Sequence, residues 1–133
     1  MEIYKYDLKS VSIYQRLQMA VGKGYNIVEY FYKDKRQNKQ YLHVLRDYRD
    51  ILVDLLSDMW LQAQCHPKTD ESDLIMKCYN KVKPVFEPMI KILGDVSLSQ
   101  KKIIEKIDKV LSGFSRSELD TLITELGHEE LPF

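Results

Sequence analysis

The sequence has little of the residues that hold together small secreted proteins or that build turn-rich folds. It contains two cysteines, Cys65 and Cys78, which cannot form the several disulfide bonds of such secreted scaffolds. Five glycines and four prolines among 133 residues are too few for a β fold made of many short strands and turns. We therefore expect a reduced, cytoplasmic protein made mainly of long regular elements.

Long apolar runs are also missing, and so is a net charge. The first ten residues, MEIYKYDLKS, lack the apolar segment of a signal peptide, and no run approaches the roughly 20 apolar residues of a membrane span. The 20 basic and 20 acidic side chains balance to a formal net charge of zero, so attraction of the whole protein to polyanions is not predicted. With 44% apolar residues, the chain can build the core of one domain over residues 1–133, and no membrane partner is expected.

Residues 41–64 form the longest stretch that has helical periodicity and neither glycine nor proline. Apolar residues recur in it at steps of three and four, which predicts a central helix with a wide apolar stripe. The main row is Tyr41, Leu45, Tyr48, Leu52, Leu55 and Met59, and Val44 and Ile51 form a second row beside it. Trp60 is also predicted to lie in the core, because tryptophan is largely buried on average; the alternative is that it is exposed and anchors a partner.

The rest of the chain predicts further helices and no strand. A continuous apolar phase over residues 13–31 favours one helix, with Gly24 placed where another backbone comes close; a break at Gly22 is the alternative. Pro84 and Pro88 interrupt a later helical pattern and predict a kink or a restart there, because an internal proline removes a backbone hydrogen bond. The predicted fold is all-α, an antiparallel bundle of four or five helices.

Four aspartates share one face of the predicted central helix, namely Asp47, Asp50, Asp54 and Asp58. The row is open to three interpretations. It is a solvated face in which Arg46 pairs with Asp50, a docking surface for a basic partner, or a site for Mg²⁺ chemistry on phosphates. A metal site requires carboxylates on a facing helix, and no second acidic row is visible in the sequence. No metal is therefore predicted, and partner binding is the functional interpretation.

Two apolar residues, Leu131 and Phe133, stand in the acidic C-terminal segment. They are predicted to dock either into the bundle or into a second chain, which makes a homo-oligomer possible. They are therefore included with the aspartates among the candidate partner-binding residues.

The segment 33–41 is an alternative site, for nucleic acid. Its four cations, Lys33, Lys35, Arg36 and Lys39, are suited to phosphates. Tyr41, together with Tyr30 and Tyr32 just before the segment, is suited to stacking on bases. The other interpretation is that the cations solvate a loop while the tyrosines pack on the core with their hydroxyl groups at the rim.

The thiol and imidazole groups do not form a recognisable reactive set. Cys65, His66 and Cys78 lack the spacing of a closed four-ligand zinc site. Because neighbouring residues do not face each other on a helix, Cys65 and His66 are also poorly placed as nucleophile and base. We expect no cofactor and no enzymatic activity.

Residues 110–126, VLSGFSRSELDTLITEL, combine a Ser-x-x-Glu helix start with a leucine-rich helix. In this the segment resembles the closing helix of MarR-type regulators, where such a helix helps to form the dimer. The preceding chain lacks that family's winged helix-turn-helix and β-hairpin, so the resemblance implies no function here.

These observations predict a small non-catalytic protein-binding module, that is, an adaptor, inhibitor or regulatory subunit. A nucleic-acid-binding regulator is the alternative, and a metal-dependent phosphohydrolase built on the aspartate row comes third.

Overall fold

A computed structural model describes residues 12–34, 41–64 and 67–130 of the protein, with side chains up to residue 125. The described residues form five helices and no strand, which confirms the predicted all-α bundle. In chain order the helices are α1 (Ile13–Lys33), α2 (Tyr41–Ala63), α3 (Asp70–Leu93), α4 (Gln100–Ser112) and α5 (Arg116–Glu130). None of them has a stretch long and apolar enough to cross a bilayer.

Local capping sets several of the helix ends. Ser12 and Ser99 each accept a hydrogen bond from the backbone N–H three residues later, which satisfies one of the free donors of a first helical turn. Thr69 and Ser72 exchange side-chain-to-backbone hydrogen bonds at the start of α3, in a capping box. At the other ends, α3 stops at Gly94 and α4 stops at Gly113.

Helix α2 runs antiparallel to both α1 and α3. Arg16 at the start of α1 contacts Asp58 near the end of α2, and Tyr41 at the start of α2 donates a hydrogen bond to the Tyr30 carbonyl near the end of α1. The ring of Trp60 near the end of α2 lies 5.6 Å from that of Tyr79 in the first half of α3. Helix α2 therefore lies between α1 and α3.

The core follows the apolar rows that periodicity predicts. Five members of the main row on α2 are buried, with Tyr41 half-buried at the helix start. The second row, which also contains Tyr48 and Leu55, is only half correct, since its other members Val44 and Ile51 remain 37% and 39% exposed. The stripe of α2 is wider than the surface that α1 and α3 cover, so the residues at its margin stay in contact with solvent.

Helix α1 passes through both of its glycines without a break, which confirms the single-helix prediction. Gly24 does mark a close approach, but to a side chain and not to a backbone. The hydroxyl group of the fully buried Tyr48 lies against Gly24 and donates a 2.8 Å hydrogen bond to the Ala20 carbonyl. Gly22 faces open space.

The predicted restart at Pro84 is wrong, because α3 continues as one helix through both prolines. The two prolines are four residues apart and exposed, as is Asn80 one turn earlier. The carbonyl groups that lose their helical donors, those of Asn80 and Pro84, therefore lie on the solvent side, where water replaces the missing N–H. An exposed proline costs free energy at this place but does not force the helix to end.

Candidate protein-binding surface on helix α2

The four aspartates lie on the side of α2 that faces away from the core. Because the buried residues repeat at steps of three and four, the carboxylates between them turn toward solvent. Asp47, Asp50 and Asp54 are exposed, and Asp58 is half-buried at the margin next to α1. The sequence therefore placed the row on the correct face.

Only one of these aspartates is neutralised within the described parts of the chain. Asp58 accepts a 2.7 Å charge-assisted hydrogen bond from Arg16 and thereby joins α2 to α1. Among the described residues, no ion pair reaches Asp47, Asp50 or Asp54, and the expected pair between Arg46 and Asp50 does not form. Three carboxylates along about two turns of helix thus have no ion-pair partner among the described residues.

Exposed apolar side chains accompany the three carboxylates. Of the ten large apolar residues exposed in the described ranges, six belong to α2. They are Leu42, Val44, Ile51, Val53, Trp60 and Leu61. Single exposed apolar residues are ordinary on a protein surface, but their concentration on one helix is typical of a binding surface.

The apolar residues border the acidic row on both sides. Val44 and Ile51 lie on the edge next to α1, which the Arg16–Asp58 contact identifies, and Val53 and Trp60 lie on the edge next to α3. Leu61 extends the row of carboxylates toward the helix end. We call the exposed set Val44, Asp47, Asp50, Ile51, Val53, Asp54, Trp60 and Leu61 the outer face of α2.

Trp60 was expected in the core, but the structure leaves 48% of it exposed. One side of its ring packs against Tyr79, and the ammonium group of Lys83 lies 5.5 Å from the centre of the Tyr79 ring. An aromatic side chain that is held in place by packing and is still half-exposed is well suited to anchor a partner.

The alternative nucleic-acid site is only partly described. Lys33 is paired with Glu29 at 2.7 Å, and this hydrogen bond raises the pKa of Lys33. The rings of Tyr41 and Phe31 form a T-shaped pair, and the Tyr41 hydroxyl group donates a hydrogen bond to the Tyr30 carbonyl, so this half-buried side chain is already held against α1. The other three residues of that site, Lys35, Arg36 and Lys39, lie outside the described residues.

Several other predicted residues also lie outside the described ranges, namely Leu131, Phe133, Cys65 and His66. Cys78 is buried in the core of the bundle. Within the described ranges, no group of three or more His, Cys, Asp or Glu side chains is arranged to hold a metal ion. In particular, no facing helix supplies ligands to the aspartate row.

The apolar borders of the outer face were missed by sequence reasoning. The signal was present in the width of the apolar stripe, which exceeds what two neighbouring helices cover, but periodicity alone does not show which margin stays exposed. Searches against family models, curated proteins and solved structures find no match for this chain. The outer face of α2 itself is therefore the basis for proposing a function.

Proposed function

We propose that the protein is a non-catalytic binding module, an adaptor, inhibitor or regulatory subunit, whose outer face of α2 binds a basic, partly apolar segment of another protein. The observation that supports this most is the combination of three exposed carboxylates, which pair with no cation in the described ranges, with exposed apolar side chains on both sides of them. A surface built only for solubility has no need of the apolar residues.

The two components have different physical roles. Burial of Val53, Trp60, Ile51 and Leu61 supplies affinity, at about 25 cal/mol for each Å² of apolar surface removed from water. The carboxylates of the row favour lysine and arginine on the partner, accelerate association and fix its orientation. An amphipathic helix with basic residues beside an apolar stripe has the complementary pattern.

Nucleic-acid binding is the second candidate, and one observation favours it. Tyr30 and Tyr32 are 67% and 53% exposed near the end of α1, where they are available to stack on bases beside the cations of segment 33–41. We place it second because Lys33 is already paired with an acid and Tyr41 is packed. A titration with single-stranded and duplex oligonucleotides at low salt tests it, and absence of binding excludes it.

The first candidate is tested by charge reversal on the outer face. The variant is Asp50→Arg/Asp54→Arg, and the matched control is Asp120→Arg/Glu125→Arg on α5, which reverses two exposed carboxylates elsewhere. Affinity capture from cell extract identifies proteins that the wild type and the control retain and the variant loses. The same three proteins are then titrated with a captured partner, and with a synthetic amphipathic helix carrying lysines beside leucines.

We expect the variant to bind at least about tenfold more weakly than the wild type, which corresponds to roughly 1.4 kcal/mol, because attraction becomes repulsion. The control should bind like the wild type. Equal binding by all three proteins, or retention of no specific protein under several salt conditions, would contradict the proposal. Light scattering of the protein alone identifies the partner as a second copy if the wild type dimerises and the variant does not.

A further inference from the structure

A cavity of about 390 Å³ lies between the first half of α2 and the start of α4. Leu42, Leu45, Arg46 and Arg49 line it from α2, and Gln100 and Ile103 line it from α4. The loop that joins α3 to α4 forms the remaining wall. The volume falls within the range of about 300–1,000 Å³ that is typical of small-molecule sites.

The lining of the cavity includes two arginines. Arg46 and Arg49 are both exposed, and within the described ranges neither guanidinium group forms an ion pair. Arg49 lies over Gly94, with its Nη1 atom 3.2 Å from the place where a Cβ of that residue would stand. A guanidinium group offers several N–H donors in a planar fork, which matches the oxygens of a carboxylate or a phosphate.

The start of α4 adds to the attraction for an anion. Ser99 caps the helix by accepting a hydrogen bond from the Lys102 amide, and the amides of Gln100 and Lys101 come before the first intrahelical bond. One acid lies at the cavity, Asp95, and its carboxylate accepts hydrogen bonds from the amide and the hydroxyl group of Ser97. These bonds lower the pKa of Asp95 and hold its carboxylate in the loop. The positive charges of the two arginines, together with the start of α4, outweigh this one negative charge.

Much of the remaining lining is apolar. Leu45, Leu93 and Ile103 line the space but are themselves buried, whereas Leu42 is 40% exposed, Leu98 is half-buried and Val96 in the loop is 92% exposed. A free inorganic ion would leave Leu42, Leu98 and Val96 in contact with water. An anionic group attached to an apolar chain or ring would satisfy the arginines and cover the walls together.

We infer that this cavity binds a small amphipathic anion, with a carboxylate or phosphate held by Arg46 and Arg49 and an apolar body lying between α2, the loop and α4. The site does not depend on the outer face of α2, because its cations differ from the carboxylates that the proposed partner would contact.

The test uses octyl phosphate and octanoate, kept below their micelle concentrations, as probes of the two anionic groups. Octanol and inorganic phosphate serve as the apolar and anionic halves. Binding is followed by changes in the backbone amide NMR signals of isotope-labelled protein. The variant Arg46→Gln/Arg49→Gln removes both cations. The matched control is Lys68→Gln/Lys77→Gln, which removes two exposed lysines, one in the loop before α3 and one on α3.

We expect at least one of the two amphipathic anions to cause saturable shifts of the amide signals of residues 42–49 and 94–103. Its affinity should be at least tenfold higher than that of octanol or of inorganic phosphate. The arginine variant should bind at least tenfold more weakly than wild type, and the lysine control should bind like wild type. Saturation by one probe and not the other identifies the anionic group. The inference is overturned if neither probe saturates, if octanol binds as well as both anions, or if the shifts in the wild type map elsewhere. The position of the shifted signals is read from the wild-type protein, so this outcome does not depend on whether a variant folds.

Discussion

Replacing each glycine of α1 by alanine should have opposite effects on stability, although the two positions are only two residues apart. At Gly22 an added Cβ meets nothing within 4 Å. Glycine inside a helix costs about 1 kcal/mol relative to alanine, so Gly22→Ala should raise the free energy of unfolding by roughly 0.5–1 kcal/mol. For a domain of this size, such a change raises Tm by a few degrees.

At Gly24 the same substitution collides with the core. The added Cβ would stand 2.5 Å from the Tyr48 hydroxyl oxygen, 3.3 Å from its ring and 3.5 Å from a methyl group of Leu111. Tyr48 is fully buried, so its hydroxyl group has no free space to enter, and movement breaks its hydrogen bond to Ala20. Overpacking of about 1–3 kcal/mol and a lost hydrogen bond of about 1 kcal/mol exceed the helical gain of about 1 kcal/mol. We expect Gly24→Ala to lower the free energy of unfolding by about 1–3 kcal/mol.

A double-mutant cycle shows whether the hydroxyl group is the cause. Tyr48→Phe alone should cost about 1 kcal/mol, since it removes one hydrogen bond. The double variant Gly24→Ala/Tyr48→Phe should cost less than the sum of the two single changes, by at least about 1 kcal/mol, because the colliding oxygen is gone. Urea unfolding followed by far-UV circular dichroism measures all four proteins. If Gly24→Ala is as stable as Gly22→Ala, or if the two changes are additive, the explanation is wrong.

Three further predictions follow from single side chains. Pro84→Ala should raise the free energy of unfolding by roughly 1–3 kcal/mol in urea melts, because the exposed Asn80 carbonyl regains a helical donor; unchanged stability would show that the proline costs nothing there. Burial raises the pKa of Tyr48, so its neutral form is favoured in the folded state. The raised pKa contributes to the free energy of unfolding in full below a pH of about 10. Above that pH the tyrosine of the unfolded chain ionises, and the free energy of unfolding falls by up to about 1.4 kcal/mol per pH unit. Wild-type stability should therefore fall more steeply in that range than that of Tyr48→Phe, and parallel pH profiles would contradict this. Trp60, the one tryptophan of the sequence, should have fluorescence that acrylamide quenches readily and that a bound partner protects; fluorescence as shielded as that of a core tryptophan would contradict its half-exposed position.

The sequence alone determined the helices and most of the core. The predicted central helix, residues 41–64, differs from the observed Tyr41–Ala63 by one residue, because an uninterrupted apolar period leaves little choice of structure. The same period placed Asp47, Asp50 and Asp54 on the outside. Patterns that act within a few residues along the chain predict structure before any tertiary contact is known.

The tertiary structure decided what lies at the margins of those stripes. Whether Val44, Ile51 and Trp60 are covered depends on where α1 and α3 pack against α2, and that is set by contacts between residues far apart in the chain. Asn80, Pro84 and Pro88 share the solvent side of α3, where water takes the place of the missing donors, and this allows the helix to continue through both prolines. The cavity beside Arg46 and Arg49 also exists only because the start of α4 lies across from α2. Local periodicity specifies which residues turn inward, and the packing of neighbouring helices specifies which of the others remain available to bind.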